Sequence, residues 1–98
     1  MSLQIVRFTT RPEQVADVER GVADLFDALG VAGPDGVRYL AGRVADRPEF
    51  LLLLHLDEGV ANPLPAIPRA AAFRQQLQDW AAPGPQPVSV LGDYRMTG

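Results

Sequence analysis

The apolar residues of this chain follow two periods, and the densest run follows the shorter one. From Phe50 to Leu56, Phe50, Leu52, Leu54 and Leu56 fall on one side of an extended strand, and Leu51, Leu53 and His55 on the other, because successive strand side chains alternate. Pro48 before the run and Asp57-Glu58-Gly59 after it leave too little length for a helix, so a strand is predicted. Both of its faces are apolar. Burying a leucine is worth about 1.5–3 kcal/mol, so leaving Leu51 and Leu53 in water would forgo about 3–6 kcal/mol of a stability typically about 5–15. Each face therefore needs a cover.

The other elements arrange themselves around that strand. Leu3 to Thr9 alternate, with Leu3, Ile5 and Arg7 on one side and Gln4, Val6 and Phe8 on the other, and predict a first strand. Thr10-Arg11-Pro12-Glu13 has the form of a capping box with an early proline. Val15, Val18, Val22, Leu25, Phe26 and Leu29 then recur at spacings of three and four, opposite Asp17, Arg20, Asp24 and Asp27. That is an amphipathic helix. Gly21 weakens its middle, and Gly30 is placed to end it in a left-handed conformation. Gly33-Pro34-Asp35-Gly36 is turn chemistry. Val37 to Ala45 predicts a second strand, joined through Asp46-Arg47-Pro48-Glu49 to the Phe50 strand as an antiparallel hairpin.

Asn62 to Pro68 is too rich in proline for a helix or a ladder and predicts a loop. Pro68 can open a second helix through Trp80 and Ala81, with Phe73, Leu77, Trp80 and Ala81 on its buried stripe and Arg74, Gln75, Gln78 and Asp79 outside. Pro83-Gly84-Pro85-Gln86-Pro87 stops it, and Val88 to about Met96 predicts a final strand. The order βαββαβ is that of the ferredoxin-like α+β fold: a four-stranded antiparallel sheet, two helices on one face, and the first and third strands in the middle. Two helices cover one face only. A second copy of the same sheet is the simplest cover for the other, since most soluble oligomers are twofold homodimers. The rival is the proline-rich segment 62–68 folding across it.

Composition narrows the partners. With 98 residues, 47% hydrophobic and 21% charged, the chain predicts one globular domain over 1–98. A net charge of −3 offers no basic surplus for phosphates, so no nucleic acid is expected. No run reaches the ~20 apolar residues of a membrane span, and Met1-Ser2-Leu3-Gln4 lacks a leader pattern. A cytoplasmic protein is the default expectation. Cysteine and lysine are both absent, which removes thiol nucleophiles, thiolate metal sites and Schiff-base chemistry.

With these elements in place, the chain resembles the dimeric α/β-barrel superfamily, and within it the antibiotic-biosynthesis-monooxygenase-like group. The resemblance rests on Leu3–Thr9 followed by Arg11-Pro12-Glu13, the first amphipathic helix, the Phe50–Leu56 strand, and Pro68-Arg69-Ala70-Ala71-Ala72-Phe73-Arg74 opening the second helix. It implies a homodimer through the open sheet face and, in catalytic members, cofactor-independent oxygenation of aromatic molecules or haem degradation. The haem-degrading members place a histidine on the second helix and an asparagine on the first strand. Here the sole histidine, His55, is on a strand and the sole asparagine, Asn62, in a loop, so no haem and no other cofactor is expected.

Few residues remain to carry chemistry. His55 is the one side chain with a neutral-range pKa, a candidate catalytic group if a pocket surrounds it, and otherwise a half-exposed strand-end histidine paired with Asp57 or a carbonyl. Tyr39 and Tyr94 could donate to a ligand oxygen, or pack their rings with the hydroxyl at the rim. Phe73 and Trp80 could line an aromatic pocket between helix and sheet, or simply fill the core. Arg7 is the remaining candidate for substrate binding. Asp57 and Glu58 point apart on a strand, and one histidine without cysteine makes no multi-ligand metal site. Two readings follow: a cofactor-free monooxygenase acting on a small apolar or aromatic molecule, or a non-catalytic homodimeric module with a solid core.

Overall fold

The computed structural model describes residues 2–81 and 84–92. Its elements are β1 (Ser2–Thr9), α1 (Val15–Ala32), β2 (Val37–Arg43), β3 (Glu49–Leu56), α2 (Pro68–Trp80) and β4 (Gln86–Val88). They form one antiparallel sheet in the order β2-β3-β1-β4, with β3 and β1 central as right-handed crossovers require. The fold is ferredoxin-like α+β. Leu52 pairs with Val6 on one side and Ala41 on the other, so Val6, Phe8, Tyr39, Ala41, Phe50 and Leu52 share one face. That face meets Val18 and Leu25 of α1 and Phe73 and Leu77 of α2 in a single core. Phe8 and Phe50 stack at 5.4 Å, and Phe73 meets Trp80 edge to face at 6.0 Å. Between the helices Gly21 is needed for its size: a Cβ there would lie 2.6 Å from the Trp80 ring.

The opposite face carries Leu3, Ile5 and Arg7 of β1, Leu40 of β2, Leu51, Leu53 and His55 of β3, and Val88 of β4. Leu40 is 53% exposed and Val88 39%. Among the described residues, no helix packs on this side. The proline-rich segment does not cover it either, because Leu64 and Ile67 pack against the helix-side core. Instead of a plain loop, Leu64–Ala66 forms one 3-10 turn, started by Asn62 Oδ1 accepting from the Leu64 amide at 3.0 Å.

Several element ends differ from those predicted. Thr10 is not the cap of the first helix: its amide donates to the Pro48 carbonyl at 2.8 Å and its hydroxyl to the Arg11 carbonyl, tying β1 to the hairpin. Arg11 and Gln14 take the capping positions around a 3-10 turn at Pro12–Gln14, with the Gln14 side chain accepting from the Arg11 amide. The helix passes through Gly30 and ends at Gly33, which has φ +55 and donates to the Leu29 carbonyl. Pro34 explains the later stop, since a proline disfavours helical backbone in the residue before it. Strand β2 ends at Arg43, whose guanidinium donates to the Arg47 and Asp46 carbonyls and so closes the turn. Strand β4 is short and starts earlier than predicted; Pro87, with no amide to give, is tolerated because the strand is an edge. Residues 89–92 are not strand, and Pro83, Asp93, Tyr94 and Met96 of the predicted stop and final strand lie outside the described residues.

Candidate functional site

The covered face of the sheet is not packed solid. A cavity of about 350 Å³ lies between it and the helices, within the range of small-molecule sites. Its floor is Val6, Leu52 and Leu54 of the sheet, set there by the alternation of β1 and β3. Leu25 of α1 and Ala70, Phe73 and Leu77 of α2 form the far wall, and Leu64 and Pro65 of the proline-rich turn close one end. The side chains at its mouth are different in kind. Gln4, Asn62, Arg74 and Gln78 line the cavity and are exposed, so they stand where it meets water. Tyr39, partly buried, completes the polar lining.

Burial pushes the Tyr39 hydroxyl up to about 12, because a phenolate would lose its hydration there. It stays protonated, a hydrogen-bond donor, across the neutral range. Its ring is held edge to face against Phe26 at 5.6 Å. Asn62 spends its carbonyl oxygen on the Leu64 amide, which leaves its NH₂ as the group on offer. Arg74 has no hydrogen-bond or ion-pair partner among the described residues.

The residues singled out from the sequence separate into three groups. Tyr39 and Phe73 line the cavity. Trp80 does not line it; it packs behind Phe73 and against the Gly21 position. Arg7 and His55 lie on the opposite face of the sheet. Arg7 faces Glu49 at 3.5 Å. His55 is 6% exposed rather than half-exposed, and neither ring nitrogen has a hydrogen-bond partner among the described residues; Asp57 Oδ1 stands 3.7 Å from Nδ1. No group of three or more His, Cys, Asp or Glu side chains among the described residues could hold a metal. No helix among them is long and apolar enough to cross a membrane.

Gln4, Asn62, Arg74 and Gln78 belong to the mouth, and the sequence patterns did not single them out. Two signals could have found three of them. Gln4 is a polar residue on the alternation phase of Val6 and Phe8, an interruption of the core-facing side. Ala71, Arg74 and Gln78 follow at spacings of three and four, a polar flank beside the buried Ala70, Phe73 and Leu77 stripe.

No family model matches the sequence, and no curated protein does. Among solved structures, a Nitrosomonas europaea protein provisionally described as an antibiotic biosynthesis monooxygenase superposes with a TM-score of 0.71 at 18% identity. The match covers 98% of this chain and 92% of that one. A protein of unknown function from the same organism gives a TM-score of 0.61 at 21% identity, covering 98% and 94%. The chain therefore shares the ferredoxin-like fold of these two proteins.

Proposed function

We propose that the chain is a small-molecule-binding protein of the dimeric α/β-barrel type, that an apolar or aromatic ligand occupies the cavity between sheet and helices, and that its reaction is cofactor-independent monooxygenation. The observation that carries the binding reading is the 350 Å³ cavity, apolar within and polar at its mouth. The likeness to the Nitrosomonas europaea protein described as an antibiotic biosynthesis monooxygenase is what suggests the reaction. A phenol that loses its hydroxyl proton to water is electron-rich enough to reduce O₂. A carbon–oxygen bond forms, the O–O bond breaks, one water leaves, and the phenol departs as a quinone after supplying all four electrons. In this scheme the protonated Tyr39 hydroxyl donates to the substrate oxygen as charge builds there.

The second reading is a binding module without catalysis. In its favour, the cavity lining among the described residues contains no histidine and no carboxylate, so no general base stands beside the ligand. Oxygen consumption and quinone absorbance, measured with the intact protein and 1-naphthol, separate the two. The catalytic reading expects uptake that falls about tenfold or more in Tyr39→Phe. Binding of naphthol with no uptake establishes the non-catalytic reading. A rate lost in His55→Ala but kept in Tyr39→Phe moves the chemistry to the other side of the sheet and overturns the role assigned to Tyr39.

A further inference from the structure

We infer that the ligand of this cavity is an amphiphilic anion: an apolar body with a carboxylate or phenolate head, held at the mouth by the Arg74 guanidinium. The inference rests on the cavity being a ligand site, as proposed above, and adds the chemical class. Twelve acidic side chains outnumber nine arginines in the whole chain, yet among the described residues no acid lines the cavity and one arginine does. Five of the other arginines are answered: Arg7, Arg11, Arg20, Arg43 and Arg69 each face a carboxylate of their own chain. Arg74 faces none among the described residues.

The neighbouring polar groups point the same way. Asn62 has its acceptor committed and its NH₂ on offer, and Tyr39 keeps its proton, so both present donors. Gln4 and Gln78 can turn either end of their amides inward. A ligand cation would find one fixed positive charge and, among the described residues, no negative one. A ligand anion would find a forked charged donor with neutral donors beside it, the arrangement that carboxylates and phenolates accept best. The apolar floor of Val6, Leu52 and Leu54 then takes the body of the molecule.

Three probes of one shape and different charge test this on the intact chain by calorimetry: 2-naphthoate, 2-naphthamide and 2-naphthylmethylammonium. The expected order is naphthoate tightest by about tenfold over the amide, the typical worth of a hydrogen bond to a charged group at a partly solvated site, with the ammonium weakest. Arg74→Gln should bring naphthoate to within about twofold of the amide, with the larger loss falling on naphthoate. Arg74 is exposed and has no partner among the described residues, so that variant keeps the fold. Equal affinity for naphthoate and naphthamide, or a preference that survives Arg74→Gln, overturns the anion assignment and leaves the cavity as a neutral-ligand site. If none of the three binds, the assignment and the binding reading fall together. An oxygenase assay that fails while naphthoate binds removes the reaction only.

Discussion

At the scale of single residues, burial decides what a polar side chain can offer. Desolvation alone raises the Tyr39 pKa to about 12 from an unfolded value near 10. The folded state thus holds the phenolic proton more tightly than the unfolded one. Its contribution to stability is fully present below pH 10 and is lost as pH rises toward 12. Urea unfolding followed across that window should show a steeper alkaline loss for the native chain than for Tyr39→Phe, and equal curves would contradict the burial. His55 shows the converse problem, a buried imidazole with no hydrogen-bond partner for either nitrogen among the described residues. Nothing in its sequence neighbourhood announces this, since Asp57 is close enough in sequence to pair and stands just too far away at 3.7 Å.

Among the elements, the ends are set by chemistry two or three residues from where the periodicity runs out. Two glycines near the end of α1 make the point. Gly30 has helical backbone and open space around it, whereas Gly33 has φ +55. Gly30→Ala should therefore stabilise the protein by up to about 1 kcal/mol through helix propensity. Gly33→Ala should destabilise it by about 1–2 kcal/mol, because a Cβ is strained in the left-handed region. Opposite signs in denaturant midpoints are expected; like signs would place the helix end elsewhere. In α2 the same reasoning runs across the helix rather than along it. Ala70, Phe73 and Leu77 seal the core, and the adjacent flank of Ala71, Arg74 and Gln78 borders the cavity. A helical wheel yields both stripes, but only the position of the proline-rich turn makes the second one a mouth.

At the scale of the molecule, the sheet is covered on one face and apolar on both. Leu3, Ile5, Leu40, Leu51, Leu53 and Val88 lie on the side that neither helix reaches, and the proline-rich segment that might have sealed it packs on the other side. The proposed second copy, laid sheet to sheet, would satisfy that face, because each leucine buried there is worth about 1.5–3 kcal/mol. Leu40→Glu, at the most exposed of these leucines, should convert a dimer to monomer in sedimentation velocity at micromolar concentration without unfolding it. A native chain that sediments as a monomer over that range would remove the second copy from the proposal.

The βαββαβ order, the central place of the Phe50 strand, the stripes of both helices and the two-sided greasiness of β3 all follow from periodicity, which acts over four or five neighbouring residues and is written in the sequence. Which residues meet across the fold is not local. Alternation sorts the side chains of each strand into two sets, but only the pairing register put His55 and Arg7 on one side and Tyr39 on the other, and only the packing of the helices made one of those sides a cavity. The position of the Leu64–Ala66 turn, the gap it leaves below Phe73 and the convergence of Arg74, Asn62 and Tyr39 on its mouth depend on contacts between segments distant along the chain. A single sequence records the preferences of each segment for its neighbours and not the space left between them.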